Sequence, residues 1–282
     1  MTSGLALIDK PAGVTSHDVV AQLRKTLNTK KIGHAGTLDP MATGLLILGV
    51  GQATRLMQFF LGLDKCYRAK VMLGASTTTD DKDGETLSTS DASKLSADQV
   101  LAGLKELTGE QLQVPSKVSA KKVAGRRAYE RVRDGEEFTL EPKPVNISRI
   151  EVLGEISIGT SCEFEIEVDC SSGTYIRAIA RDLGEKLGVG GHLTALRRLS
   201  VGPFRVEEAA AELISPAEAA AKIMDSVQLG EQEVVDLRHG KQIPRAIDGL
   251  TAALAGEELV AVLEPAGDRA KSVVVFAGGS DA

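Results

Sequence analysis

Apolar and polar positions along the chain switch repeatedly between helical spacing and strict alternation. GLALIDKP (residues 4–11) reads as a strand stopped by its proline. In SHDVVAQLRKTL (16–27), Val19, Val20, Leu23 and Leu27 share one face and predict a helix with Ser16 as its N-cap. LLILGV (45–50) is an unbroken apolar run bounded by glycines and reads as a buried strand. ATRLMQFFLG (53–62) predicts a helix closed by Gly62, and KCYRAKVMLG (65–74) alternates as a strand. Residues 75–95, rich in Ser, Thr, Asp and Gly, predict a long loop. SADQVLAGLKELTG (96–109) follows as a helix, with Ser96 and Gln99 at capping-box spacing.

CEFEIEVDC (162–170) places Glu163, Glu165 and Glu167 on one face and Phe164, Ile166 and Val168 on the other, the pattern of a half-buried antiparallel strand. SSGTYIRAIARDLGEKLG (171–188) turns from strand to helix at Gly173. Beyond Pro203 an Ala/Glu-rich stretch predicts an apolar helix over residues 206–224, followed by strand-like ELVAVLE and KSVVVFA. The pattern is α+β: a main domain over residues 1–220 and a small β-rich unit over 221–282, without internal repeats.

Composition narrows the class. The 282 residues are 43% hydrophobic, enough for a core, and no apolar run approaches the length of a membrane span. The N-terminus has no basic region and carries Asp9 and Lys10 early, so a cytoplasmic protein without a signal peptide is expected. Cys66, Cys162 and Cys170 form no CxxC pair, and reduced thiols are expected.

The net charge of −6 argues against a polyanionic partner, but its distribution does not. Residues 206–282 hold 6 basic and 14 acidic residues, a balance of −8, and leave residues 1–205 at +2. KVSAKKVAGRRAYERVR (117–133) carries seven basic side chains against Glu130 alone, including Lys122, Arg126 and Arg127. The pairs Lys30–Lys31 and Arg197–Arg198 add to it. Such clusters suit docking to nucleic acid. Solvated faces are the plainer alternative for each one alone.

GHAGTLDPMATG (33–44) sets one carboxylate, Asp39, among glycines, small residues and Pro40. The proline disfavours helical geometry at Asp39, and the glycines permit turns and close approach of a ligand. A carboxylate so displayed suits a nucleophile, a general base or a metal ligand. Metal binding has the least support, because no second acid is near in sequence and only His34 is at hand. An ordinary Asp-Pro turn is the bland alternative.

The longer stretch GHAGTLDPMATGLLILGVGQATRL resembles the catalytic-aspartate motif of the bacterial tRNA pseudouridine synthase B (TruB) family. LIDKPAGVTSHDVV, KCYRAKVMLGASTTTDDKDGE, GTYIRAIARDLGEKLG and HLTALRRLSVGPF resemble its other motifs, in the family's order over residues 4–204. The resemblance implies the pseudouridine synthase fold, a mixed, largely antiparallel sheet with flanking helices, and a PUA-like C-terminal domain. It implies isomerisation of uridine-55 in the TΨC loop of tRNA, after the base is flipped out. Asp39 is then the catalytic carboxylate, Tyr67 the tyrosine against the uracil, and Arg177 the partner of Asp39. His34 fills the place of the flipped base, Lys10 and Pro11 shape the pocket floor, and Tyr175 and Leu199 contact the substrate.

Lys122, Arg126 and Arg127 fall in the RNA-facing loop, where Lys121 and Ala124 depart from the family pattern. The resemblance calls for no cofactor, no metal and no guide RNA; a monomer is expected, though no residue of the sequence speaks to oligomeric state. Two rivals remain: an RNA-binding protein without catalysis, and a carboxylate-dependent hydrolase. The hydrolase needs a second acid across the cleft, which no motif supplies.

Overall fold

The apolar run at residues 45–50 lies in the strand Thr43–Val50, whose alternate side chains enter two different cores. Leu46 and Leu48 point to one side, Leu45 and Ile47 to the other, and all four are fully buried. A strand covered on both faces has no polar side to show, which is why it lacks alternation.

The computed structural model describes residues 3–116, 122–123, 126–127 and 140–277. The strands of the first half are β1 (Gly4–Lys10), β2 (Ile32–Ala35), β3 (Thr43–Val50), β4 (Lys65–Leu73), β5 (Ala75–Thr77), β6 (Thr86–Thr89) and β7 (Gly109–Gln113). They are followed by β8 (Lys122–Val123), β9 (Arg126–Arg127), β10 (Lys143–Ile158), β11 (Cys162–Cys170), β12 (Gly191–Val201) and β13 (Phe204–Arg205). The large sheet runs β1-β3-β12-β4-β11-β10-β7, with β2 on β3 and β13 on β12. Every pairing in it is antiparallel except β12 with β3, so the sheet is mixed and largely antiparallel, as expected.

Helices α1 (Ser16–Thr26), α3 (Ala97–Glu106) and α4 (Ile176–Lys186) cover one face, and α2 (Met57–Leu61) and α5 (Pro216–Ala221) lie on the other. The capping box of α3 forms from Ser96 and Gln99 as its sequence suggests. At α1 the cap is Thr15, whose hydroxyl accepts from the Asp18 amide while the Asp18 carboxylate accepts from the Thr15 amide. Ser16 is the first helical residue instead, and its hydroxyl is used elsewhere.

Three expectations need correction. Residues 75–95 contain the hairpin β5–β6, stitched by the Ser76 and Ser88 hydroxyls at 2.6 Å. The helix expected from residue 53 begins as a 3-10 turn over Gly51–Leu56 and becomes α-helical only in α2. The apolar helix expected over 206–224 is broken. Ile214 exchanges two backbone hydrogen bonds with Leu5 of β1, at 2.8 and 2.9 Å, and Pro216 then starts the short α5 under a Ser215 cap.

The second unit comprises β14 (Asp225–Gln228), α6 (Glu231–Arg238), β15 (Thr251–Ala255), β16 (Glu258–Ala266) and β17 (Arg269–Val275), with the sheet in the order β14-β15-β16-β17. It is not a loose appendage. Its Ala252, Leu259, Val262 and Phe276 join Leu5, Leu7, Leu45, Ile47, Phe60 and Phe204 in one hydrophobic cluster. The Gln52 side chain also brackets Ala277, donating to its carbonyl and accepting from its amide.

Candidate active site

Asp39 sits in the link between β2 and β3, and each end of that link is pinned by backbone contacts. Gly44, with φ of +100°, passes so close to β12 that a Cβ there would lie 2.2 Å from the Arg198 carbonyl oxygen. Only glycine fits. Leu38 is bonded on both its amide and its carbonyl by the Ser16 hydroxyl. The Pro40 carbonyl accepts from the Gly13 amide at 2.8 Å and the Lys10 ammonium at 3.4 Å.

Arg177 is the second residue of α4 and is 4% exposed. Its Nε lies 3.1 Å from Asp39 Oδ2, and its Nη1 lies 3.1 Å from Asp81 Oδ2 and donates to the Thr79 carbonyl at 2.6 Å. The guanidinium is therefore shared between two carboxylates and fixed by a backbone oxygen. No sequence motif singles out Asp81. It belongs to the acidic loop of the β5–β6 hairpin, where Thr79 Oγ1 donates to it at 2.5 Å and the Asp83 amide at 3.1 Å. Its only trace in the sequence is a run of acids in STTTDDKDGE, which does not tell Asp81 from Asp80 or Asp83.

A cavity of about 310 Å³ opens in front of this pair, with walls that include Asp39, Tyr67, Tyr175, Arg177, Leu196 and Arg198. Burial holds the Asp39 carboxyl above its usual range, with Arg177 opposing and Asp81 adding to the rise. Burial likewise pushes the Tyr67 hydroxyl up, and the neighbouring Arg198 opposes it. Tyr67 and Arg198 are cross-strand neighbours on β4 and β12.

Tyr175 lies in the wall, its backbone bracketed by the Gln113 side chain, which accepts from its amide at 2.8 Å and donates to its carbonyl at 3.1 Å. Leu199 is not in the wall: it packs into the cluster beneath the sheet, and Leu196 is the leucine that faces the cavity. Leu196 and Arg198, two residues apart, share the face of β12 that looks into the cavity, and Leu199 points to the other face.

Lys10 is fully buried and outside the cavity wall. Its ammonium spans the carbonyls of Pro11, Val14 and Pro40, so it props the loop from behind, and Pro11 itself is exposed. His34, on β2, stands edge-on to His17 with ring centroids 5.5 Å apart, and burial lowers its pKa.

The Arg197–Arg198 pair is not a docking cluster. Arg198 is 1% exposed and donates to the carbonyls of Leu45 and Gly36, while Arg197 forms two bonds with Asp9. In the C-terminal unit Arg238, Lys241 and Arg245 are paired with Glu258, Asp236 and Glu233. The side chains of Lys122, Arg126 and Arg127, and most of the basic segment 117–133, lie outside the described residues. Among the described residues no cluster of potential metal ligands occurs. The Cys66 and Cys170 thiols are pushed up to about 12, mainly by burial, which leaves them unreactive.

A mixed sheet with this carboxylate–arginine cavity is the pseudouridine synthase fold. A chain of the solved Cbf5–Nop10–Gar1 complex matches it with a TM-score of 0.67 at 29% identity, over 93% of this chain and 78% of that one. A chain of the archaeal box H/ACA sRNP Nop10–Cbf5 complex matches with a TM-score of 0.67 at 25% identity, over 97% and 85%.

Within that class the chain belongs to the TruB family. Residues 24–176 match the N-terminal domain of the TruB family pseudouridylate synthases. Residues 177–230 match the tRNA pseudouridylate synthase B C-terminal domain, and 224–277 the C-terminal domain of tRNA pseudouridine synthase II. The tRNA pseudouridine synthase B of Arthrobacter sp. (strain FB24) is 46% identical over 100% of this chain and 99% of its own length. That of Leifsonia xyli subsp. xyli (strain CTCB07) is 47% identical over 97% and 96%.

Proposed function

We propose that this protein is a tRNA pseudouridine synthase that converts uridine-55 of the TΨC loop to pseudouridine, with Asp39 as its catalytic carboxylate. The observation that carries this reading is Asp39 held by Arg177 in a cavity whose walls also include Tyr67. The reaction breaks the N1–C1′ bond, turns the base and joins C5 to C1′. The C5 proton leaves and N1 gains one, so nothing is oxidised or reduced.

Asp39 either bonds covalently to the nucleotide or stabilises charge on the sugar. Arg177 keeps it oriented, Tyr67 lies against the base near the departing proton, and Leu196 and Tyr175 enclose the uracil. The cavity admits one base, so the target uridine enters flipped from its stack, and His34 fills the place it leaves. Asp81 does not line the cavity, so the second carboxylate serves Arg177 and not a hydrolytic pair. Residues 1–220 carry the chemistry and 221–282 form the PUA-like unit. The enzyme acts as a cytoplasmic monomer on the T-arm without guide RNA, metal or cofactor.

The direct test is incubation with unmodified tRNA in the presence of a chelator, followed by mapping of pseudouridine. Product at position 55 is expected. Its absence, or product elsewhere, would overturn the assignment.

A pH dependence follows from burial of the carboxylate. The reaction needs the ionised form, and the Asp39 pKa lies above the ordinary carboxylate value. Activity therefore falls away on acidification at a pH above the usual carboxylate range. A kcat/KM profile on the folded enzyme checks this, and an acid limb at or below the ordinary value would contradict it.

The basic segment gives a second expectation. If Arg126 and Arg127 bind phosphates, their joint replacement by Ala weakens tRNA binding. The slope of log K against log salt then shrinks by about 0.7–0.9 for each phosphate no longer neutralised. An unchanged slope puts both side chains on a solvated face.

A further inference from the structure

We propose that Ser16 is a positioning residue for Asp39, acting through the backbone of Leu38; this rests on the reading of Asp39 as the catalytic carboxylate. A serine opening a helix is ordinarily explained as a cap. Here the cap is Thr15, which with Asp18 completes both halves of the capping box and leaves the Ser16 hydroxyl unused by its own helix.

That hydroxyl is 22 positions away from Leu38 in sequence, yet it accepts from the Leu38 amide at 2.9 Å and donates to the Leu38 carbonyl at 3.1 Å. Both residues are buried, Ser16 at 1% and Leu38 at 3% exposure. One oxygen thus does for Leu38 what a neighbouring strand does for a residue in a sheet. It satisfies a donor and an acceptor that water cannot reach.

The contact falls one residue before Asp39. On the other side Pro40 is held by Gly13 and by Lys10, the last residue of β1. The carboxylate is therefore suspended between two anchors from one short stretch of chain, residues 10–16. Of these, the Lys10 ammonium is divided among three carbonyls, whereas Ser16 is committed to one residue. Without the hydroxyl the Leu38 peptide groups are free to rotate, which shifts Asp39 away from Arg177 Nε. Misplacement of a reacting group by about 1 Å costs about 10²-fold in rate.

The test compares Ser16→Ala, Ser16→Cys and Ser16→Thr with the wild type on unmodified tRNA. Alanine removes both hydrogen bonds, cysteine keeps the volume with a weak hydrogen-bonding group, and threonine keeps the hydroxyl. For Ala and Cys, kcat is expected to fall about 10²-fold with KM unchanged, because Ser16 touches no substrate. Their acid limb moves up, because withdrawal of Asp39 from Arg177 removes the charge that opposes the rise. Threonine is expected to retain the wild-type profile.

Hydrogen exchange gives a readout independent of turnover: the Leu38 amide is protected in the wild type and exchanges faster in the folded Ala and Cys variants. Wild-type kcat in a folded Ala or Cys variant overturns the proposal. So does an unprotected Leu38 amide in the folded wild type, which can be measured even if both variants fail to fold. A wild type that forms no pseudouridine defeats the reading of Asp39 instead, and the two failures are told apart by that control.

Discussion

Asp39→Asn is expected to abolish pseudouridine formation while the protein stays folded and keeps its affinity for tRNA. Asparagine preserves the shape of the side chain but removes the negative charge and the nucleophilic oxygen. Arg177 does not lose its setting, because Asp81 and the Thr79 carbonyl still hold Nη1. The loop anchors at Leu38 and Pro40 are backbone contacts and are untouched. Loss of a group central to the chemistry lowers kcat by on the order of 10⁴-fold or more. Single-turnover assays at saturating enzyme measure it, and a residual rate within an order of magnitude of wild type would sink the assignment.

The same substitution has a predictable effect on stability. Burial raises the folded-state pKa of Asp39 above its unfolded value, so in that window the folded state binds more protons. The group therefore costs stability as pH rises from the unfolded pKa through the raised folded one. Asparagine does not titrate. At neutral pH the variant is expected to melt no lower than the wild type, and any advantage should fade on acidification as the aspartate becomes protonated. Thermal melts across the acid range check the sign.

How much of this was legible in the sequence depended on the range of the interaction. The strands and helices with clean periods were readable, CEFEIEVDC above all, since alternation fixes which face is buried. The roles inferred from local motifs led to a site in which Asp39, Tyr67, Tyr175 and Arg177 do meet around one cavity. What the motifs hid was decided by contacts between distant segments. Asp81 becomes the second partner of Arg177 only because the β5–β6 hairpin folds back onto α4. Ser16 looks like a cap until Thr15 takes that place, and Arg198 looks like a surface charge until β2 and β3 close over it.

Removal of residues 225–282 is expected to cost the protein its cooperative fold, although the unit is small and acidic. That unit does have a small core of its own, with Leu237, Ile243 and Leu263 at its centre. Its other side supplies Ala252, Leu259, Val262 and Phe276 to the cluster that covers Leu5, Leu7, Leu45, Ile47 and Phe60. Truncation would expose this apolar face to water.

Each large apolar side chain uncovered costs about 1.5–3 kcal/mol, and several together rival a total stability of about 5–15 kcal/mol. The damage reaches the site, because Leu45 and Ile47 belong to β3, the strand that fixes one end of the Asp39 loop. A finer probe is Phe276→Ala, which should lower stability by about 3–5 kcal/mol while leaving kcat on an isolated T-arm stem-loop unchanged, since Phe276 is remote from the cavity wall. Urea melts read the first quantity and stem-loop turnover the second. A truncated chain that unfolds at the wild-type midpoint would show that the shared cluster contributes nothing to the catalytic domain.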